Sequence, residues 1–465
     1  MNIDIPRVIC PADQLGRVHF VGIGGAGLSA IARLMAGQGI VVSGSDAADS
    51  TVLQALQAEG ITCHVGQDAA HLVDVDTVIA TTAVRNDNVE IVEAQRLGLR
   101  LWPRSAGLQS VLLGGQALAV AGTHGKTTTT GMLTCALRAA GADPSFAIGA
   151  QVPSLGTNAA QGSGDLIVAE ADESDGAFLV YTPAGAVITN VDADHLDQWG
   201  TEEAYAAAFA QFVGQVSSFV VLNADDPAAA ALRDHVRPGV DVWTAGFDTA
   251  VRLRGSDVQI DGSSTTFSVH LDGQPLVDVR LAVPGQHYAT DALLALAAGL
   301  ALGHDPARLA AGLSAYTGAA RRMESLGHAG GVRVYDSYAH HPTEIHADLA
   351  AARAIAGEDR LVVAFQPHLV SRTRIYGTQM GEALSAADAV VVADIYLARE
   401  DPDPQVTAAL VVDAIDGPPA QEGGPVGDLA EVLTPLLRPG DLLLTLGAGD
   451  ITTVGPAVLA RLGAS

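Results

Sequence analysis

Ala117-Leu118-Ala119-Val120-Ala121-Gly122-Thr123-His124-Gly125-Lys126-Thr127-Thr128 is the stretch on which the reading of this chain turns. Its five apolar residues read as a strand, Gly122 to Gly125 as a tight turn, and the residues from Lys126 to about Ala140 as a helix. Such a loop stacks backbone N–H groups against phosphate oxygens, with a lysine for the β- and γ-phosphates and a hydroxyl for magnesium. The strict phosphate-loop pattern asks for glycine at position 120, where Val120 stands, so the loop is a shorter variant with Gly122 making the close approach. ATP or GTP is therefore expected over Gly122, Thr123, His124, Gly125, Lys126, Thr127 and Thr128.

Working outward, the same rhythm of short apolar run and helical stretch appears on both sides. Val18-His19-Phe20-Val21, Ile40-Val41-Val42 and Thr77-Val78-Ile79-Ala80 precede the loop, and Leu166-Ile167-Val168-Ala169, Ala186-Val187-Ile188-Thr189 and Phe219-Val220-Val221-Leu222 follow it. Apolar strands separated by helical lengths imply crossover units and mostly parallel sheets. Between about 250 and 283 the pattern turns to polar-apolar alternation, as in Thr265-Thr266-Phe267-Ser268-Val269-His270, which reads as an antiparallel insertion or an appended sheet. An alanine-rich helix, about Ala289 to Leu302, closes that segment. A third run includes Val332 to Tyr335, Leu361 to Phe365, Ala389 to Val392 and Asp441 to Thr445, with Glu400 to Gly427 expected as one long surface loop. The expected fold class is α/β, with three doubly wound domains: 1–112, 113–320 and 321–465. The outer two are Rossmann-like and the central one resembles a phosphate-loop ATPase.

Size and charge agree with this. At 465 residues the chain fits about three domains at ~150 residues each. Hydrophobic residues make up 48% and charged residues 17%, enough apolar material for a core in each. A net charge of −27, from 25 basic against 52 acidic residues, repels nucleic acid and anionic membranes over most of the surface. Attraction for a phosphorylated ligand must then come from helix N-termini, a few cations and metal ions. Cys10, Cys63 and Cys135 are scattered and odd in number, and read as reduced thiols. Without a cationic, apolar leader or a run of about 20 apolar residues, the chain is expected to be cytoplasmic, with no membrane or nucleic-acid partner.

Further motifs close other strands. Gly22-Ile23-Gly24-Gly25-Ala26-Gly27 matches G-x-G-x-x-G between a strand and a helix, a cradle for a diphosphate, with Asp46 at the next strand end placed to accept from a ribose or base. Alone, this loop fits a nicotinamide dinucleotide equally well. Glu170-Ala171-Asp172-Glu173-Ser174-Asp175 puts four carboxylates in six residues, suited to a hard divalent cation, and Thr189-Asn190-Val191-Asp192-Ala193-Asp194-His195 closes the strand after it. In a parallel sheet the strand ends carrying Lys126, Thr127, Glu170 and His195 share one crevice. Asp336-Ser337-Tyr338-Ala339-His340-His341-Pro342 and Gln366-Pro367-His368, with Ser371-Arg372-Thr373-Arg374, present histidines and arginines after strands of the third segment. Arg321-Arg322 sits at the junction before it.

These strings, in order, resemble the Mur ligase family along nearly the whole chain: G-I-G-G-A-G, G-T-H-G-K-T-T-T, E-A-D-E-S-D, T-N-V-D-A-D-H, P-G-Q-H, R-R-M-E, Y-A-H-H-P-T-E-I and F-Q-P-H. The acidic string is similar to the branch that adds L-alanine to UDP-N-acetylmuramate. The resemblance implies an N-terminal domain for the UDP-substrate, a central ATP-binding domain and a C-terminal domain serving amino acid and nucleotide. It implies UDP-substrate contacts at Gly22, Gly24, Gly25, Ala26, Gly27, Asp46, Thr81 and His124. Lys126, Glu170 and His195 would be catalytic, and Thr127, Glu170 and His195 would hold one or two Mg2+ ions. His287, Asp291, Arg322 and Asp336 would join the phosphate loop in binding ATP, and Tyr338, His340 and Arg372 would surround the amino acid.

The implied activity is ATP-dependent ligation of L-alanine to the lactyl carboxylate of UDP-N-acetylmuramate through an acyl phosphate, for the cell wall, by a monomer or homodimer. Four positions depart from the family pattern: Tyr288 and Asp291 replace asparagines, Ser337 an aspartate and Leu369 an arginine. A recycling ligase for a ready-made tripeptide, and a UDP-sugar-binding homologue without catalysis, remain the alternative readings.

Overall fold

The computed structural model describes residues 3–463 except 82, 83, 86, 175, 249 and 399; the side chain at 197 also lies outside the description. Asp175, last of the acidic string, is thus outside the described residues. The fold is α/β throughout, with parallel sheets dominant.

The first sheet has β1 (Val18–Val21), β2 (Val42–Asp46), β3 (Thr62–Val65), β4 (Thr77–Ala80) and β5 (Arg100–Pro103), ordered β3-β2-β1-β4-β5 and parallel throughout. The order reverses beside β1, so the crevice lies where β1 runs into α1 (Ala26–Gly37). β1 and β4 are buried along their whole length, as strands covered on both faces must be. Each fully buried residue such as Phe20 or Ile79 contributes about 1.5–3 kcal/mol. α2 (Arg104–Leu112) leads directly out of β5.

The second sheet holds β6 (Gln116–Ala121), β7 (Ser145–Val152), β8 (Thr157–Ala160), β9 (Leu166–Glu170), β10 (Gly185–Ile188), β11 (Phe219–Asn223) and β12 (Asp241–Gly246), ordered β12-β11-β10-β6-β9-β7-β8. β6 lies between β9 and β10, parallel to both, with Val120 opposite Glu170 and Ala121 opposite Ile188. The order reverses around β6, so α3 (Lys126–Ala139) starts at the switch point. β13 (Leu253–Asp261), β14 (Ser264–Leu271) and β15 (Gln274–Leu281) extend this sheet beyond β12, so the segment is appended to the central sheet, with β13 pairing in parallel with β12. The alanine-rich helix runs from Gln286 to Ala301, three residues earlier than its composition indicates.

The third sheet takes β16 (Glu324–Ala329), β17 (Val332–Ser337), β18 (Leu361–Phe365), β19 (Ala389–Ala393), β20 (Ala420–Gly424) and β21 (Leu442–Leu446) in the order β16-β17-β21-β18-β19-β20. The stretch from Glu400 to Gly427 is not the single long loop that its composition suggests. It contains a helical turn, Ala409–Val412, and the edge strand β20, which pairs in parallel with β19. β20 reads Ala-Gln-Glu-Gly-Gly, without the apolar run that marks a buried strand, because an edge strand needs only backbone pairing.

The chain forms two compact units, one of residues 1–256, 268–279 and 290–315, the other of 257–267, 280–289 and 316–465. The first contains the first sheet and strands β6 to β12, joined through a single apolar core that includes Phe20, Ile31, Leu112, Ile167 and Phe209. Its polar ties are buried too: Arg33 Nη1 donates to Asn158 Oδ1 at 2.7 Å, and Asn158 Nδ2 donates to the Ala26 carbonyl at 3.1 Å. Arg33 and Asn158 are 7% and 3% exposed, so each needs the other to satisfy its polar groups. Among the described residues no helix is long and apolar enough to cross a membrane. All three cysteines are free thiols, and burial pushes that of Cys63 up to about 11.

Candidate active site

The loop after β6 is shaped by two glycines with positive φ, Gly122 at 141° and Gly125 at 81°. A Cβ on Gly122 would lie 1.9 Å from Thr189 Oγ1, and one on Gly125 would lie 2.5 Å from Asp291 Oδ1, so neither position tolerates a side chain. The loop leaving β10 locks this turn in place. Thr189 Oγ1 and Asn190 Nδ2 both donate to the His124 carbonyl, at 2.5 and 3.0 Å, while His124 N donates to Asn190 Oδ1 at 2.9 Å. Thr123 Oγ1 lies 2.8 Å from both the Asp192 carbonyl and Tyr205 Oη. The string Thr189–His195 therefore serves first as a splint for the phosphate loop.

Lys126 opens α3, and its ammonium donates to the carbonyls of Gly122 and Thr123 at 2.7 and 3.0 Å. It also pairs with Glu173 Oε2 at 2.7 Å. Burial alone would lower its pKa, but the carboxylates of Glu173, Asp172 and Glu170 outweigh burial and raise it, so the charge is secure. Glu173 is 1% exposed, and burial pushes its carboxyl up to about 7 against the pull of Lys126. Asp172 goes the other way: burial opposes ionisation, but Arg104, Lys126 and the Ser174 hydrogen bonds hold it well below the usual carboxylate range.

Thr127 Oγ1 donates to Glu170 Oε2 at 3.0 Å, and Gly149 N donates to the same oxygen at 2.8 Å. The structure thus brings Lys126, Thr127 and Glu170 to one place, at the ends of adjacent strands. A hydroxyl and a carboxylate on that spacing form a hard oxygen pair of the type that suits Mg2+. His195 has a left-handed φ of 53° and caps the short helix Leu196–Trp199, with Nε2 3.6 Å from Asp194 Oδ2. Asp291 packs against Gly125, beside the phosphate loop.

At the end of β1, Gly22 N and Ile23 N donate to the Ser45 carbonyl, and Gly24 N donates to Asp46 Oδ2 at 2.8 Å. Thr81 Cγ2 lies 3.2 Å from where a Gly22 Cβ would stand, so Gly22, Gly24, Asp46 and Thr81 do gather around the start of α1. Gly25 precedes that helix and Ala26 begins it, with Gly27 in its first turn.

The second unit carries its own cluster. The rings of Tyr338 and His340 stand 5.4 Å apart, those of His340 and His368 5.8 Å, and Arg372 Nη1 lies 3.3 Å from His368 Nδ1. His368, expected from its place after a strand only as one of several cleft-facing histidines, is what joins Tyr338 and His340 to Arg372. Leu369, beside it, is buried with φ 67° and ψ 139°, a conformation that non-glycine residues rarely adopt. Asp336 is fully buried, accepts from Arg321 Nε, Thr445 Oγ1 and Thr452 Oγ1, and so positions Arg321. Arg321 and Arg322 both lie over the Tyr338 ring, at 4.9 and 5.4 Å. Arg322 accepts at its carbonyl from Tyr288 Oη, and burial together with the Arg322 charge lowers His287 to about 4.

The sequence gives no separate role to Glu173 or Arg104, and marks Arg321 only as one of a pair that is either a hinge cation for nucleotide phosphate or an exposed pair. Glu173 lies 47 residues beyond Lys126 and Arg104 lies 68 residues before Asp172, and no local pattern ties these pairs together.

A three-sheet, mostly parallel α/β chain with a glycine-lysine-threonine turn at one switch point, the Thr127–Glu170 oxygen pair beside it and a second glycine-rich turn after β1 has the build of a nucleotide-dependent ligase. Comparison with known proteins agrees. The Mur ligase family catalytic domain matches residues 17–114, the Mur ligase middle domain residues 120–299, and the Mur ligase glutamate ligase domain residues 321–449. A UDP-N-acetylmuramate–L-alanine ligase of Nocardioides sp. is 58% identical over 99% of this chain and 100% of its own length. One from Thermobifida fusca is 47% identical over the full length of both. The solved UDP-N-acetylmuramate-alanine ligase of Thermotoga maritima is 30% identical, with a TM-score of 0.82 over 96% of this chain and 98% of its own. The chain belongs to the Mur ligase family.

Proposed function

We propose that the chain joins L-alanine to the lactyl carboxylate of UDP-N-acetylmuramate with ATP, in cell-wall precursor synthesis. The meeting of Thr127 with Glu170, one residue from Lys126, carries the chemistry. The full-length likeness to L-alanine ligases supports the choice of substrates. We assign residues 1–112 to the UDP-substrate, 113–320 to ATP and 321–465 to the amino acid and part of the nucleotide.

The γ-phosphoryl group passes to the substrate carboxylate, the alanine amine attacks the acyl phosphate, and the tetrahedral intermediate expels phosphate. Lys126 turns from the Gly122 and Thr123 carbonyls onto the γ-phosphoryl oxygens. Thr127 and Glu170 would hold one Mg2+, and Glu170 with His195 a second; when bound, the metal neutralises charge on the transferring group. Gly122 to Thr128 cradle the phosphates, Asp291 stands at their edge, and His287, Arg322 and Asp336 (acting through Arg321) serve the nucleotide. Gly22, Gly24, Gly25, Ala26, Gly27, Asp46, Thr81 and His124 serve the UDP-substrate. Tyr338, His340 and Arg372 serve the amino acid. Soluble nucleotide substrates put the reaction in the cytoplasm, in a monomer or homodimer.

The deciding measurement is phosphate release from Mg-ATP and UDP-N-acetylmuramate, with L-alanine or a tripeptide as acceptor. Release with L-alanine is expected. Release with tripeptide alone makes the chain a recycling ligase, and UDP-sugar binding without release makes it a non-catalytic homologue.

A further inference from the structure

Arg104 stands at the start of α2, outside every motif, and lies against both Gly27 of the first glycine loop and Asp172 of the acidic string. Its Nη1 and Cδ lie 3.1 and 3.0 Å from where a Cβ on Gly27 would be, so the guanidinium rests on the first turn of the diphosphate-loop helix. Its Nη2 donates to Asp172 Oδ2 at 2.8 Å. Asp172 precedes Glu173, the carboxylate that holds Lys126 at 2.7 Å. One cation thus spans the short path from Gly27 to the phosphate-loop lysine: Arg104 to Asp172, then Glu173 to Lys126. The Arg104 and Asp172 side chains are 24% and 31% exposed, open enough for a ligand to reach and sheltered enough for charge to act.

A Cβ at Gly27 would crowd the Arg104 side chain, so the glycine lets Arg104 lie close along the helix start, where N–H groups already favour a diphosphate. A guanidinium offers five donors in a planar fork, so one edge can stay on a carboxylate while the other takes a phosphate. An ammonium, a single point charge, cannot serve both.

We propose that Arg104 is a positioning residue that binds the diphosphate of the UDP-substrate and, by sharing itself with Asp172, couples that site to the ATP site. This rests on the functional reading above and adds to it a coupling between the two nucleotides. An arriving diphosphate draws the guanidinium toward itself and withdraws part of the compensation from Asp172. The freed carboxylate then adds to the negative field that attracts Mg2+ with its nucleotide beside Glu170. Binding on one side therefore tightens binding on the other, and linkage makes the effect reciprocal.

The test is the affinity of Mg-ADP by calorimetry, with and without saturating UDP, for the full chain and for R104A, R104K and D172N. In the unsubstituted chain, UDP should tighten Mg-ADP by about fivefold or more. In R104A the factor should fall to about one, with Mg-ADP bound in the absence of UDP about as tightly as the unsubstituted chain binds it with UDP. R104K should keep part of the UDP affinity and lose the coupling, an outcome that loss of packing alone would not give. D172N, which keeps the shape of the side chain, should lose the coupling while UDP still binds. An unchanged coupling factor in R104A or D172N overturns the proposal. Failure of the unsubstituted chain to bind UDP overturns the functional reading and this one together; UDP binding without any coupling overturns this one alone.

Discussion

Replacing Lys126 with methionine keeps most of the side chain's apolar stem and removes its charge. Lys126 pairs at 2.7 Å with Glu173, a carboxylate only 1% exposed. Stranding one member of a buried pair costs about 3–5 kcal/mol. Glu173 can escape that cost by taking a proton, which makes the loss depend on pH. With Lys126 present, burial already lifts the Glu173 midpoint from 4.5 to about 7, equivalent to about 3 kcal/mol. The folded state therefore holds its proton more tightly than the unfolded chain, and its stability declines as pH rises from 4.5 through 7. Without Lys126 the midpoint moves higher still, so K126M should lie close to the unsubstituted protein at pH 5.5 and fall away by pH 8. At about 2–4 °C per kcal/mol the gap at pH 8 should be roughly 6–20 °C in the unfolding midpoint. Thermal unfolding from pH 5.5 to 8.5 measures it, with K126M/E173Q as the companion variant. The double variant should recover most of the loss at pH 8 and lose its pH dependence, while neither variant turns over ATP and both still bind UDP. A gap that ignores pH, or a double variant no more stable than K126M, would refute the electrostatic reasoning.

Gly125→Ala should weaken Mg-ADP binding at least about tenfold and leave UDP binding unchanged, because φ 81° and the Asp291 carboxylate both exclude a Cβ; calorimetry with each nucleotide separates the two effects. Asp336→Asn removes the buried partner of Arg321 and should destabilise the second unit by about 3–5 kcal/mol, read as a lowered denaturant midpoint. His287, lowered to about 4 by burial and the Arg322 charge, should stay neutral by NMR down to pH 5. The stability that this neutrality confers is complete above 6.5 and should be lost as pH falls through 4; a ring titrating near 6.5 would contradict the burial.

Much of this protein is legible along the chain because its chemistry is local. Parallel strands buried on both faces must be runs such as Leu361–Phe365, and a phosphate loop must place its glycines, lysine and threonine within one turn, so β6, α3 and the glycine loop after β1 can be read from spacing alone. The edge strand Ala420–Gly424 escapes that reading, since backbone pairing with β19 leaves no mark in side-chain hydrophobicity.

The sequence by itself determined the parallel α/β fold class, the two glycine-rich turns between strand and helix and the carboxylates near them. Only the tertiary structure decided which charges face each other. It set Lys126 on Glu173, Arg104 on Asp172 and Arg321 on Asp336, and it merged the first two sheets around one core. Burial and pairing depend on distances between residues far apart in the chain, and those distances exist only once the strands have taken their order in the sheet.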